Sequence, residues 1–189
     1  MKIGLYFGSF NPIHIGHLII ASHVVENTDL DKIWFVVSPQ NPLKPSHTLL
    51  NQYQRLHMVR LAIENDTRFK AVDIEFKLPK PSYTIDTLIH LEEKYPEHIF
   101  SVIMGSDSYQ NINKWKNGDL LQKNYNILIY NRPGFEIEET TISNCNILNA
   151  PLLDISSTLI RNNLKQGLCI KYLVTDLVYD ELMNNKYYK

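Results

Sequence analysis

The chain has 189 residues, 44% of them apolar, with 19 basic and 20 acidic side chains and a formal net charge of −1. That balance excludes a disordered chain and a strongly basic nucleic-acid binder, and no apolar run reaches the roughly 20 residues needed to span a bilayer. Cys145 and Cys169 stand without a second pair, which argues against a disulfide scaffold or a zinc knuckle.

Ile3 to Phe7 reads as a short buried strand, too short for a secretory apolar segment and followed at once by a turn over Gly8 to Pro12. A protein of the cytoplasm is the expectation. Gly16 to Glu26 is a helix with Leu18, Ile19, Ala21, Val24 and Val25 on its apolar side. Lys32 to Val37 is a second strand, ahead of the loop SPQNPLKP. Asn51 to Asn65 is a helix, Ala71 to Phe76 a third strand and Tyr83 to Tyr95 a helix. Ile99 to Met104, Tyr125 to Tyr130 and Asn146 to Leu148 complete the strands. Ser156 to Lys165 and Tyr172 to Asn184 are helices, so the part from about 155 to 185 is helical. Apolar strands alternating with helices predict a doubly wound α/β fold, with a mostly parallel sheet and ligands at the carboxyl ends of its strands. Residues 1–189 read as a single domain, and nothing in the sequence decides against a homo-oligomer.

The stretch GLYFGSFNPIHIGH carries the first chemistry. Gly8 follows a strand and permits a close approach or a positive φ. Gly16 opens a helix whose N-terminus attracts anions. His14 and His17 sit there three apart, and imidazoles donate to phosphate oxygens. The same spacing could hold a metal, but no third Cys, Asp or Glu nearby completes a zinc set. The pair could also be plain capping residues. Neither G-x-G-x-x-G nor G-x-x-x-x-G-K-[ST] is present, which argues against a dinucleotide fingerprint and a P-loop.

GSFNPIHIGH resembles the G-[ST]-F-[DN]-P-x-H-x-G-H signature of the nucleotidyltransferase superfamily. ISSTLIR, at Ile155 to Arg161, resembles the block that opens a late helix in the same superfamily. Ser156, Ser157 and Thr158 are also good helix caps in their own right. PSYTIDTL, at Pro81 to Leu88, and MGSDSYQNINKW, at Met104 to Trp115, narrow the likeness to the bacterial nicotinate-mononucleotide adenylyltransferases. That resemblance runs from Lys2 to about Arg161. It implies a Rossmann-like nucleotidyltransferase fold. It also implies AMP transfer from ATP to nicotinate mononucleotide, giving deamido-NAD and pyrophosphate in NAD biosynthesis.

The resemblance assigns His17 to the α-phosphate, and His14 and Arg161 to the β- and γ-phosphates. Gly8, Ser9, Phe10, Gly16, Met104, Gly105, Asp107, Ile155, Ser156, Ser157 and Thr158 would complete the ATP site. Asn41, Lys44, Tyr83, Thr84 and Trp115 would hold the mononucleotide. Trp115 would stack on its pyridine, and Lys44 would grip its phosphate. Mg2+ would arrive with ATP and have few or no direct protein ligands. Neither a nucleic acid nor a membrane is an expected partner. Two departures stand out: Asn11 replaces the aspartate of many relatives, and Leu43 stands where a phosphate donor is usual. Nicotinamide mononucleotide is the substrate-level alternative. Pantetheine-phosphate adenylyltransferase or a cytidylyltransferase shares the outer motifs, and a non-catalytic nucleotide sensor is the alternative from another class.

Overall fold

In the computed structural model, which describes residues 1–40, 49–140 and 142–188, strands and helices alternate as the sequence predicts. The described residues form a six-stranded sheet: β1 (Lys2–Gly8), β2 (Lys32–Val37), β3 (Phe69–Val72), β4 (Ile99–Gly105), β5 (Asn126–Tyr130) and β6 (Cys145–Leu148). Their spatial order is β3-β2-β1-β4-β5-β6, and every pairing is parallel. The expected doubly wound sheet is therefore present.

The continuous apolar runs follow from burial on both faces. Along β2, Ile33, Phe35 and Val37 join one core, while Trp34 and Val36 join the other. The first core is covered by α1 (Ile15–Asn27), α2 (Gln52–Ile63), α6 (Ser157–Lys165) and α7 (Asp176–Asn184). The second is covered by α3 (Thr84–Lys94) and α5 (Gly118–Asn124). Short α4 (Ser106–Tyr109) and α5 lie in the connection between β4 and β5.

Two expected elements are corrected. The strand read as Ala71 to Phe76 runs from Phe69 to Val72, and Ile74–Lys77 is a 3-10 turn. Alternating apolar residues at 72, 74 and 76 look like a strand. Pairing with β2 nevertheless ends at Val72, and the Phe76 N–H turns back to the Asp73 carbonyl at 2.9 Å. The helix read from Tyr172 begins at Asp176. The residues before it make a turn whose Leu173 carbonyl accepts from the Ile15 N–H at 2.9 Å.

Strand order reverses between β1 and β4, which pair directly. The connections leaving their carboxyl ends run in opposite directions and open a crevice there. A cleft of about 990 Å³ occupies that place.

Candidate active site

β1 ends at Gly8 and the chain turns sharply. The positive φ of this turn falls on Phe10 (45°), not on Gly8. Such a φ is strained for a bulky residue. Burial holds it: Phe10 is 2% exposed, with its ring packed edge-on against Tyr6, His17 and Phe35. A Cβ on Gly8 would lie 2.8 Å from the Phe10 ring. Gly8 is thus required for that close approach.

His14 is the N-cap residue of α1 and is buried. Its ring stacks on that of His17, with centroids 3.7 Å apart. The His14 N–H donates to His17 Nδ1 at 3.2 Å, which orients the second ring. Both side chains line the cleft. His14 Nδ1 is buried and has no hydrogen-bond partner among the described residues. Burial, reinforced by the Arg132 guanidinium, lowers the His14 pKa to about 4. The ring is neutral at pH 7 and donates through one nitrogen.

Two of the first amides of α1 are already engaged. The Ile15 N–H is taken by Leu173, and the His17 N–H donates to the His14 carbonyl at 3.0 Å.

The second motif docks onto the first. Ser156 caps α6, its hydroxyl accepting from the Leu159 N–H at 3.2 Å. Ser157 Oγ donates to the Pro12 carbonyl at 2.8 Å. Arg161 donates to the Asn11 carbonyl at 2.8 Å and to Thr158 Oγ1 at 3.1 Å. The first intrahelical bond of α6 runs from the Ile160 N–H to the Ser156 carbonyl, so the Ser157 and Thr158 amides have no intrahelical acceptor, and both residues line the same cleft. Gly16 and Ile155 stand behind its wall. A Cβ on Gly16 would meet the His14 ring at 3.0 Å and Ile155 Cβ at 3.6 Å, so this pair packs the two motifs together.

Across the cleft, Met104 and Gly105 end β4, and Asp107 follows in α4. Asp107 Oδ2 accepts from Arg132 Nη1 at 3.0 Å, while Oδ1 is buried without a partner among the described residues. At the far end, Tyr83 caps α3 and Thr84 begins it. Its first intrahelical bond is Thr87 N–H to the Tyr83 carbonyl, at 3.1 Å. The amides before Thr87 therefore have no intrahelical carbonyl. Trp115 is half-buried after a 3-10 turn at Ile112–Lys114, and it lines the cleft with Tyr83 and Thr84. Lys116 pairs with Asp86 at 2.8 Å and lies 5.1 Å over the Tyr83 ring. The expected Asn41 and Lys44, and the Leu43 departure, lie outside the described residues.

The cytidylyltransferase-like family profile matches residues 5–163. A probable nicotinate-nucleotide adenylyltransferase of Flavobacterium johnsoniae is 50% identical, with 100% of both chains covered. The protein so described from Cytophaga hutchinsonii is 49% identical over 100% of this chain and 98% of its own. The chain belongs to the nicotinate-nucleotide adenylyltransferase family. Among solved structures, the Plasmodium falciparum nicotinic acid mononucleotide adenylyltransferase complexed with NaAD superposes with a TM-score of 0.84. It is 25% identical, with 99% of this chain and 97% of that chain covered.

In this adenylyltransferase the sequence reading missed several residues that line the cleft or brace the loops beside it. Arg132 follows β5 and faces Asp107; a basic residue just past a strand end was the available signal. Burial works against its charge, yet Tyr130 and Asp107 leave its pKa above the ordinary value. Arg55 is fully buried, donating to the carbonyls of Leu50, Ser9, Ser38 and Pro39 at 2.5–3.0 Å. Its position in the stripe 55, 58, 59, 62 and 63 could have marked it as inward-facing. Glu75 is buried beneath the Ser82–Thr84 turn and also lines the cleft. No helix among the described residues is long and apolar enough to cross a membrane.

Proposed function

We propose that this chain transfers AMP from ATP to nicotinate mononucleotide, releasing pyrophosphate and forming nicotinate adenine dinucleotide. The observation that carries the reading is the sharing of one cleft. His14, His17, Ser157, Thr158 and Arg161 line it together with Tyr83, Thr84 and Trp115. A phosphate-binding region thus adjoins a ring-binding end lined with amide and hydroxyl donors. The nicotinic acid mononucleotide adenylyltransferase of Plasmodium falciparum, solved with NaAD and with APC, has the same fold and supports the assignment.

The mononucleotide phosphate is itself an anionic nucleophile, so the reaction calls for no general base. Its oxygen attacks the α-phosphorus of ATP in line as pyrophosphate departs. His17 would meet the α-phosphate. His14, the α6 amides and Arg161 would take up the charge that grows on the β- and γ-phosphates. Arg161 already fixes the first loop through Asn11, so its reach to a phosphate would share one guanidinium between two tasks. Asp107 Oδ1 is suited to a ribose hydroxyl or to water on a cation. Lys44 and Asn41 remain assigned to the mononucleotide phosphate through the sequence resemblance.

No group of three or more His, Cys, Asp or Glu side chains that could hold a metal occurs among the described residues. The donors present fit an Mg2+ carried by ATP, with Asp107 as a carboxylate that would help hold it. When bound, that ion would help neutralise the phosphate charge. We read residues 1–189 as one nucleotidyltransferase domain acting in the cytoplasm, and a homo-oligomer is compatible with it.

A pyrophosphate-release assay with ATP and a panel of acceptors tests the reaction. Nicotinate mononucleotide is expected to give the highest kcat/KM, ahead of nicotinamide mononucleotide and phosphopantetheine. His17→Ala is expected to lower kcat/KM on the order of 100-fold with the fold intact. Near-normal turnover in that variant would remove His17 from the reaction. ATP binding without turnover on any acceptor would favour a sensor.

A further inference from the structure

We infer that Glu75 is a positioning residue for the acceptor end of the cleft, fixing the Ser82–Thr87 segment whose donors meet the mononucleotide. The inference rests on the reading of that end as the mononucleotide site. Glu75 is 2% exposed, in the 3-10 turn after β3. Its Oε2 accepts from Ser82 Oγ at 2.8 Å, and its Oε1 accepts from Thr87 Oγ1 at 2.9 Å. One carboxylate thus ties together the residue before the α3 cap and the first turn of α3.

This arrangement has a chemical direction. An ionised carboxylate only accepts, so its hydroxyl partners must turn their protons inward to it. Burial raises the Glu75 pKa, and the bonds from Ser82 and Thr87 oppose that rise. With Ser82 and Thr87 both anchored, the chain between them has little freedom. Tyr83 and Thr84, which line the cleft, are then held in place at the start of α3. Nearby, Arg55 donates to the Ser38 carbonyl at 2.8 Å and fixes the residue after β2. The carboxylate is already occupied by hydroxyls, and the reaction requires no base. Glu75 therefore acts through the turn it holds.

The test compares wild type, Glu75→Ala and Glu75→Gln, titrating ATP and nicotinate mononucleotide separately. Glu75→Ala is expected to raise the mononucleotide KM about tenfold while the ATP KM stays within about twofold. Glu75→Gln keeps one acceptor oxygen and is expected to fall in between. Hydrogen exchange at Thr84 to Asp86 gives a readout independent of turnover, and exchange is expected to quicken in both variants. Should Glu75→Ala fail to fold, Glu75→Gln carries the same comparison. Equal changes in the two KM values, or an unchanged mononucleotide KM with unchanged exchange, would overturn the inference. A wild-type enzyme that turns over a different acceptor would overturn the substrate assignment alone. The ratio of its two KM values would then still decide the role of Glu75.

Discussion

The imidazole of His14 shows how burial sets chemistry in this cleft. A histidine in an unfolded chain takes up a proton near pH 6.5, whereas this ring does so only near pH 4. Between those values the unfolded state binds more protons, so stability falls as pH falls. Above pH 6.5 the ring is neutral in both states and adds no slope. Below pH 4 the full loss, on the order of 3 kcal/mol, has accrued. Urea unfolding from pH 7 to pH 4 checks this. His14→Gln is expected to flatten the pH dependence across that window, and an unaltered slope would contradict it. The sequence named His14 and His17 because of their spacing after a turn. It could not give the stacking of the rings, nor the proximity of Arg132 that joins burial in lowering the pKa.

Helix α2 was legible as an element, and its purpose was not. The periodicity of its apolar residues predicted a helix over Asn51 to Asn65, and the structure has Gln52–Ile63. What the pattern could not show is that Arg55 reaches four carbonyls in the connections after β1, after β2 and before α2. A planar guanidinium with several fixed donors suits that task, whereas an ammonium is a single point donor. Arg55→Ala would strand those carbonyls and is expected to cost on the order of 3 kcal/mol in urea unfolding. Arg55→Lys is expected to recover only part of that loss. Loss below about 1 kcal/mol in Arg55→Ala would show that the carbonyls find water instead. The 3-10 turn after β3 failed to register for a related reason. Its residues satisfy a strand pattern locally, and only the buried hydroxyls around Glu75 make that turn tenable.

Contacts between distant parts of the chain complete the first loop. Asn11 Oδ1 accepts from the Tyr188 hydroxyl at 2.5 Å and from the Leu50 N–H at 3.2 Å. The Asn11 carbonyl accepts from Arg161. The asparagine at this position therefore serves a structural junction. A double-mutant cycle with Asn11→Ala and Tyr188→Phe is expected to give a coupling of about 1 kcal/mol in folding stability. Additive effects would place the two side chains in independent roles. The amino-acid sequence alone determined the α/β alternation, the two motifs that meet at the cleft and the family. Those properties are written in local periodicity and in short runs of chemically specific residues. Tertiary structure decided which helix amides are already engaged and which buried charges, Arg55 and Glu75, hold the loops. It also decided that the turn's positive φ belongs to Phe10. Each of these depends on partners far away in the chain, and local pattern carries no record of them.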